Sequence, residues 1–592
     1  MKLPEKPAWI FCWRSKRTKH NGLTARCLEV RLQMFKRSKS SSGSLLSAGT
    51  TRAIVFLLLI LAVVTAIRIR LLDMPLERDE GEYAYAGQLL LQDVSPYKAA
   101  YNVALKLPGT YVAYALFMVI LGQTIAAIHA GVILVNLASA ALVFVLARRI
   151  FGDAGGVVAA GTFALLSIVP ETLGLAAHAT HFVVLPALAG VVLLQNLDDR
   201  TSSARIFSAG LLIGLAVLMK QSGAAFGLFA AGWILWCEFS SGQKQWPRLA
   251  IRLVWLALGG LLPFFLTCFI IVRAGDFHQF WFWTFQYAGQ HGTIFTWGHG
   301  IRGMFNNLGL QFMAAPGLWS AAVLGLILLF GEKALQRWRV FIVSFSFFSF
   351  LAVCPGWYFR GHYFIQLMPA AGLLAAVAFH AASGFFARRA FSLPPSALPA
   401  LILAVAAVSL LIQWSDIYFR LTPVQASRAI YDTNPFPEAV EIGRYLASHS
   451  APDARIAVIG SEPEIFFYSH RRSATGYICT YPLVEPQPYA AGMQKEMIQE
   501  VKESRPDYVI YVSARSSWVQ STARISNVIF DWFEQYQREQ LRMVGLVEIQ
   551  AGEPTQYRWL DQSETNLQTS AESWLAIFQR RSAGKATSLK SN

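Results

Sequence analysis

The chain has 592 residues, of which 54% are hydrophobic and only 15% are charged. This composition excludes an ordinary soluble enzyme, and several apolar runs reach the ~20 residues that a membrane-spanning helix needs. The net charge of +16 is concentrated at the start, because residues 1–52 carry +10 and the rest only +6. That remainder argues against a nucleic-acid-binding protein.

The first 120 residues alternate between basic, apolar and acidic segments. Residues 1–50 are polar and basic, which predicts a disordered cytoplasmic tail beside lipid headgroups. The first span runs from Ala53 to Ile67, and an acidic loop around Asp79 follows it. The next apolar run, 108–121, covers at ~1.5 Å per residue about two-thirds of a bilayer core. We therefore expect it to lie along the membrane interface.

The basic residues of the later loops predict the orientation. If residues 108–121 do not cross the bilayer, residues 51–415 hold about eleven to thirteen spans, and each short cationic cluster falls on the side of the N-terminus. The spans predicted after the first are 125–147, 155–170, 178–195, 205–220, 222–238, 250–272, 310–331, 338–354, 362–386 and 397–414. By the positive-inside rule that side is the cytoplasm. The acidic loop and the isolated polar residues of the other loops then lie on the periplasmic face. The cytoplasmic clusters are Arg148/Arg149, Arg200/Arg205, Lys244/Arg248/Arg252, Lys333/Arg337/Arg339 and Arg388/Arg389.

After Trp414 the composition becomes that of a soluble domain. Residues 416–592 carry eighteen basic and twenty acidic residues. Short apolar strands alternate with helical patterns, which indicates a small α/β domain with some parallel sheet and a loose tail over about the last 20 residues. The odd number of spans before this domain places it outside the cytoplasm. The predicted strands are 455–460 and 507–512, and the predicted helices are 490–502 and 521–537.

The acidic loop is the strongest candidate for chemistry. Asp79, Glu80 and Glu82 lie beside a bilayer, where desolvated like charges are costly unless something compensates them. In a helix, Asp79 and Glu82 share a face while Glu80 points elsewhere. A positioned carboxylate suits a base that takes the proton of an acceptor hydroxyl or amine. The alternative is a solvated loop whose acids cap a helix, but acids are scarce elsewhere on this face.

Isolated cationic residues on the same face could bind an anionic group. Lys106 precedes a Pro-Gly bend, Lys220 with Gln221 ends one span, and Arg360 and His362 precede another. The positive-inside rule does not favour cations at these positions, so together they form a plausible cradle for an anionic leaving group. Taken singly, each of these residues could instead anchor the end of a helix at the lipid headgroups.

Two other features have two interpretations each. His178 and His181 suit metal ligands, but lone histidines in apolar helices are more often packed or hydrogen-bonded. The aromatic-rich stretch 280–297 suits a membrane-interface belt or a sugar-stacking platform, and the belt is the more common. The sequence has neither a GxxxxGK[ST] loop nor a GxGxxG after a strand, so nothing argues for a nucleotide donor. A donor delivered by the membrane fits better.

Several of these motifs resemble one group of membrane enzymes. The acidic loop, RDEGEYA at residues 78–84, resembles the first-loop Asp-Glu motif of type C glycosyltransferases. KLPG at 106–109 resembles the Lys/His-Pro-Pro element that follows it, and RGHY at 360–363, leading to Pro369, resembles the late Arg/Lys…Tyr…Pro element. The chain is similar in these features to glycosyltransferase family 39, which includes protein O-mannosyltransferases and bacterial aminoarabinose transferases that modify lipid A.

The resemblance implies a type C fold, a polyprenyl-phosphate-linked sugar donor and inversion at the anomeric carbon. In aminoarabinose transferases a metal-binding Glu precedes the Lys-Pro element, and here Leu105 stands in its place. We therefore carry over neither a metal nor another cofactor. The implied site has Asp79 and Glu80 as catalytic residues, with Asp79 as the base, and Glu82, Lys106, Lys220, Gln221, Arg360, His362 and Tyr363 as substrate-binding residues.

The hypothesis from sequence is an inner-membrane glycosyltransferase acting on a lipid, protein or polysaccharide acceptor at the periplasmic face. A transporter or flippase for a lipid-linked sugar is the first alternative, and it predicts charges near mid-bilayer rather than at span ends. A glycan ligase or polymerase with a pyrophosphate donor is the second, because the same face and cations would serve it.

Overall fold

The computed structural model describes residues 48–101, 106–240, 245–291, 297–389, 394–518, 528–560 and 569–581. Residues 55–592 form one compact unit, and the contacts given below lie within it. The predicted basic tail lies almost entirely outside the described residues. Leu105, Lys244 and the start of the predicted helix 521–537 lie outside them as well.

The region before residue 415 is helical throughout. Its apolar sequences form helices because their backbone groups must be hydrogen-bonded within each segment when lipid surrounds them. The helices are Ala48–Arg70, Arg78–Leu91, Pro96–Ala99, Gly109–Leu121, Ile125–Leu166, Ala179–Leu194, Ser203–Met219, Ala224–Ser240, Trp246–Ala274, Phe277–Trp281, Ala288–His291, Trp297–Ala314, Pro316–Leu328, Arg339–Leu351, Met368–Arg388 and Ala397–Gln413.

Helix length separates two groups of candidate spans. Among the described residues, five helices are long and apolar enough to cross a bilayer, or six if one bent pair counts as a single span. Five further apolar helices are shorter, with 13 to 17 residues. The short group includes Gly109–Leu121, the segment expected at the interface, and four of the predicted spans. The predicted class, a polytopic helical membrane protein, is confirmed.

Two local breaks change the predicted spans. The segment Ile125–Leu166 is interrupted at Gly152, whose φ of 78° and ψ of −174° end one helix and begin the next. The continuous span predicted over 310–331 is wrong, because two helices meet there at an angle of 115°. Ala315 leaves the helical region with φ −151° and ψ 61°, as the steric effect of Pro316 on the preceding residue predicts.

The C-terminal region is built on a six-stranded mixed sheet in the order β2-β1-β3-β6-β4-β5. β1 pairs in parallel with β2 and β3, and the other pairs are antiparallel. The predicted α/β class with some parallel sheet is confirmed. The strands are Arg455–Ile459 (β1), Arg472–Ser473 (β2), Tyr508–Ser513 (β3), Leu541–Ile549 (β4), Gln556–Trp559 (β5) and Ser573–Arg580 (β6), and the main helices are Pro423–Tyr431, Phe436–His449, Glu464–Ser469, Ala490–Ser504 and Val528–Gln540.

The predicted loose tail over about the last 20 residues is wrong in its first part. β6 occupies Ser573–Arg580 and pairs with both β3 and β4, so it lies inside the sheet. Its residues Leu575 to Phe578 are buried, as expected for a strand with neighbours on both sides. Residues 582–592 lie outside the described part of the chain.

Two apolar cores hold this unit together. One lies among the membrane helices and includes Phe163, Phe229 and Phe345. The other joins the helix Arg78–Leu91 to the sheet, with Tyr83 and Val509 in one cluster of buried side chains. The helix that carries the acidic loop therefore packs against the C-terminal region.

Candidate active site

The helix Arg78–Leu91, here called the first-loop helix, carries the acids and is fixed at its start by two side chains. Glu77 Oε1 accepts the N–H of Glu80 at 3.0 Å, and Glu80 Oε2 accepts the N–H of Glu77 at 3.0 Å. This reciprocal capping box satisfies two backbone donors that the helix start leaves free. Gly81 allows a close approach, because a Cβ there would lie 2.6 Å from Glu464 Cβ.

Asp79 and Glu82 share one face of this helix, as helical spacing predicts. The ammonium group of Lys106 lies between them and donates to Asp79 Oδ1 and to Glu82 Oε2, each at 3.0 Å. Its nitrogen also lies 4.4 Å from the centroid of the Tyr83 ring. The two carboxylates and the lysine therefore form one charged group at the mouth of the site.

Glu80 points away from this group. It is fully buried, and its Oε1 accepts from His129 Nε2 at 3.0 Å and from the backbone N–H of Ala177. All the partners named for Glu80 belong to the protein scaffold. We therefore propose that Glu80 positions the first-loop helix and does not touch the reacting atoms.

A close contact between two helices brings Lys220 to the side of the site that holds Lys106. Gly109 packs against the end of the helix Ser203–Met219, since a Cβ there would lie 2.6 Å from the carbonyl of Leu218. Thr110 also donates to the carbonyl of Met219 at 2.8 Å. The next residue, Lys220, leaves the helix in an extended conformation, and its ammonium nitrogen lies 3.7 Å from the centroid of the Tyr363 ring.

The turn at residues 360–363 completes the cationic side. Arg360 lies 5.3 Å from the centroid of the Tyr358 ring, and the imidazole of His362 stacks on that of His178 with 4.0 Å between centroids. His362 Nε2 lies 3.9 Å and His178 Nδ1 3.8 Å from Asp79 Oδ2. Both histidines are therefore close to Asp79 but beyond the distance of a direct hydrogen bond.

These residues line one cavity of about 440 Å³. Eight of the nine predicted site residues are in its wall, and Glu80 is the exception. These residues come from segments far apart in the sequence. If each cation only anchored the end of its own helix, there would be no reason for them to meet in one cavity. The eight are Asp79, Glu82, Lys106, Lys220, Gln221, Arg360, His362 and Tyr363.

Comparison with known proteins gives the class of this chain. Residues 106–285 match the family model of dolichyl-phosphate-mannose-protein mannosyltransferases. ArnT from Cupriavidus metallidurans, solved with bound undecaprenyl phosphate, is similar with a TM-score of 0.52 and 16% identity, over 78% of this chain and 93% of that one. Its apo form gives 0.50 and 16%, over 84% and 96%. The archaeal oligosaccharyltransferase AglB from Archaeoglobus fulgidus gives 0.49 and 12%, over 86% and 74%. No curated protein matches the chain.

The chain has the fold of the type C glycosyltransferases and is similar over residues 106–285 to the mannosyltransferase family model. The resemblance predicted from the motifs at residues 78–84, 106–109 and 360–363 is thereby confirmed. The fold match and the apolar helices also support a multi-pass membrane protein.

The surroundings of Asp79 and Glu82 in the cavity shift the pKa values of these two acids in opposite directions. Burial alone would raise the pKa of Asp79, but Lys106, the two histidines and Arg360 hold it well below the ordinary value. Burial raises the pKa of Glu82, and the charge of Asp79 adds to this although Lys106 opposes it. Asp79 is therefore the acid that stays ionised, as a base must be.

A metal fits this site poorly. Asp79, His178 and His362 bring three ligand atoms within 4.8 Å of one another. The two imidazoles are stacked with only 11° between their planes, so their in-plane lone pairs run side by side and do not converge on one ion. Lys106 already occupies the carboxylate side at 3.0 Å. No step of the reaction below uses a metal.

The wall of the cavity also holds residues that the sequence did not reveal. They come from the aromatic stretch and from the C-terminal region, and Tyr287 and Glu485 connect the two through a hydrogen bond of 2.6 Å. Arg78 lies in the wall as well and is fixed from the far side by Glu462 at 3.2 Å. Tyr287 and Glu485 are 198 residues apart in the sequence. No periodic pattern connects residues at such a separation, so spacing could not assign them to the site.

Proposed function

We propose that the protein transfers a sugar from a polyprenyl-phosphate-linked donor to an acceptor at the periplasmic face of the inner membrane. The observation that carries this proposal is the convergence of Asp79 with Lys106, Lys220 and Arg360 in one cavity. A base and several cations are what the displacement of a phosphate by a neutral nucleophile requires.

The donor class is supported by the chemistry of the cavity and by the comparisons. The matching family model names a dolichyl-phosphate sugar, and the ArnT structure holds undecaprenyl phosphate. Both lipids present one phosphate, and arginine and lysine are the side chains that bind phosphate best. A lipid donor also enters from the membrane, so the enzyme needs no nucleotide site.

The proposed reaction is a single displacement with inversion. Asp79 accepts the proton of the acceptor hydroxyl or amine as its oxygen or nitrogen forms a bond to the anomeric carbon. The bond from that carbon to the phosphate oxygen breaks at the same time, and the polyprenyl phosphate leaves with the electron pair. Lys106, Lys220 and Arg360 stabilise the charge that develops on the phosphate. Each cation contributes more in a cavity from which water is largely excluded than in solution.

The first test is Asp79→Asn, which keeps the shape of the side chain and removes the base. We expect transfer to fall by about 10²–10⁴-fold, because general base catalysis contributes that much. Cells that lack the wild-type chain are complemented with each variant, and mass spectrometry of surface glycolipids and glycoproteins measures the missing sugar. Thin-layer analysis of the released lipid distinguishes a monophosphate from a pyrophosphate donor.

The matched control is Asp93→Asn. Asp93 is an exposed acid just beyond the same helix and does not line the cavity. It should complement fully, and both variants should reach the membrane in equal amounts. An Asp79→Asn protein that restores the glycan would show that Asp79 is not the base.

A further inference from the structure

A second cavity of about 460 Å³ lies beside the catalytic one. It lies between the aromatic stretch and the helix Ala490–Ser504 of the C-terminal region. We call it the aromatic groove, and its main residues are Tyr101, Phe282, Trp283, Tyr477, Tyr489 and Glu496.

The rings of the groove are held in fixed orientations. Tyr101 stacks on Trp283 with 6.0 Å between centroids and 20° between planes, and it meets Tyr477 edge-on at 5.3 Å. Phe282 and Tyr489 meet edge-on at 5.2 Å. Such ordered aromatic faces present flat apolar surfaces at little further entropic cost.

Carboxylates accompany these rings. The hydroxyl of Tyr477 donates to Glu496 at 2.6 Å, and that of Tyr101 donates to Glu500 at 3.1 Å. Of the two acids only Glu496 lines the groove, and because an ionised carboxylate has about four acceptor sites it can accept further hydroxyl or ammonium donors. None of the described residues that line the groove is a lysine or an arginine. Among these lining residues only His278 can become cationic, so the groove offers far less positive charge to a phosphate or carboxylate than the catalytic cavity does.

The two cavities share one wall. Trp283 lines the groove and its ring lies 5.1 Å from that of Tyr287, which lines the catalytic cavity. On the opposite side, Tyr477 lines the groove, and Cys479 and Tyr481 line the catalytic cavity. Among the residues that the structure describes, the two cavities have no lining residue in common, and the packed rings of Trp283 and Tyr287 lie between them.

We propose that the aromatic groove binds a saccharide portion of the acceptor, made of neutral or amino sugars without phosphate. This inference rests on the proposed function and names the acceptor class. The apolar C–H faces of pyranose rings suit the aromatic surfaces, while Glu496, which lines the groove, accepts from hydroxyl or ammonium groups. Ligand sites typically combine apolar and aromatic walls with a few polar groups that orient the ligand, as here.

The test uses the full chain in lipid nanodiscs on an array of oligosaccharides and peptides. The array carries neutral, aminated, carboxylated and phosphorylated oligosaccharides together with Ser/Thr-rich peptides. Binding is expected to neutral or aminated oligosaccharides, and it should weaken about tenfold in Tyr489→Ala, because an aromatic contact contributes on this scale. Glu496→Gln should weaken binding as well, most strongly for aminated sugars. Both side chains are exposed enough to change without disturbing a core.

The control is Glu503→Gln, the same change on the same helix at an exposed position outside the groove. It should bind as the wild type does. Absence of oligosaccharide binding, a preference for acidic oligosaccharides or peptides, or an equal loss in Glu503→Gln would overturn the inference. Asp79→Asn separates the two proposals, since it should lose transfer and keep array binding. If Asp79→Asn still transfers, the proposed function fails whatever the array shows.

Discussion

At the scale of single residues, Lys106 binds carboxylates before the donor arrives and is proposed to bind the donor phosphate afterwards. Without donor it is bound to Asp79 and Glu82 at 3.0 Å. With donor, the negatively charged phosphodiester competes with the two carboxylates for the same ammonium group. Each lysine–carboxylate contact that the donor displaces leaves Asp79 freer to accept the acceptor proton.

Replacing Lys106 by Met should therefore change the pH profile as well as the rate. In the folded protein the pKa of Asp79 is held well below its ordinary value, and Lys106 is the strongest of the charges that lower it. Activity that needs ionised Asp79 should persist as the pH falls, until the pH reaches that lowered pKa. In Lys106→Met the pKa of Asp79 should rise, because its strongest neighbouring positive charge is gone, so the acid limb of kcat/KM moves to higher pH.

The comparison is with Lys98→Met, which removes a mostly exposed lysine paired with Asp276 outside the cavity. Its pH profile should match the wild type. If Lys106→Met lowers the rate equally at every pH, Lys106 binds the donor without affecting Asp79.

At the scale of elements, the C-terminal region fixes the first-loop helix from behind. Arg78 contacts Glu462, Gln88 donates to the carbonyl of Phe467 at 3.2 Å, and Tyr85 accepts the N–H of Ser473 at 2.8 Å. These contacts hold the face that carries Asp79 toward the cavity. The C-terminal region therefore contributes to the geometry of the site as well as to its wall.

Gly81→Val tests this contact between elements. A Cβ at residue 81 would lie 2.6 Å from Glu464 Cβ and 2.7 Å from its backbone, so the two helices must separate. We expect a loss of about 1–3 kcal/mol in stability, as for overpacked cores, together with a large loss of transfer. Thermal unfolding in detergent and complementation measure the two effects. Gly309→Ala, in open space on the helix Trp297–Ala314 and outside both cavities, should be neutral or slightly stabilising.

The sequence predicted the elements better than their contacts. Apolar runs and turn signals identified most helices and both of the strands β1 and β3, because these patterns are local. The bend at Ala315 could have been found from Pro316, but the packing of Gly81 on Glu464 could not, since 383 residues separate them. For the same reason the sequence assigned the cations Lys106, Lys220 and Arg360 to one face and could not give the residues that the C-terminal region adds.

At the scale of the whole molecule, the orientation in the membrane decides which substrates can reach the cavity. The predicted spans place the first-loop helix and the C-terminal region on the periplasmic side, and the structure brings these two parts into direct contact. The boundaries 51–415 and 416–592 remain predictions, as does the cytoplasmic N-terminus. A periplasmic cavity would see lipid-linked sugars and few nucleotides, which fits the cations that line it.

Labelling of single cysteines in spheroplasts tests this orientation. Four exposed residues are changed one at a time in a chain without its native cysteines: Asp73→Cys, Glu441→Cys, Asp199→Cys and Lys333→Cys. An impermeant maleimide should label the first two in intact spheroplasts and all four after permeabilisation, because the positive-inside rule places residues 199 and 333 in the cytoplasm. Labelling of residues 199 and 333 alone would put the cavity on the cytoplasmic side. A donor delivered there would have to be a different one, and the proposed reaction would fail with it.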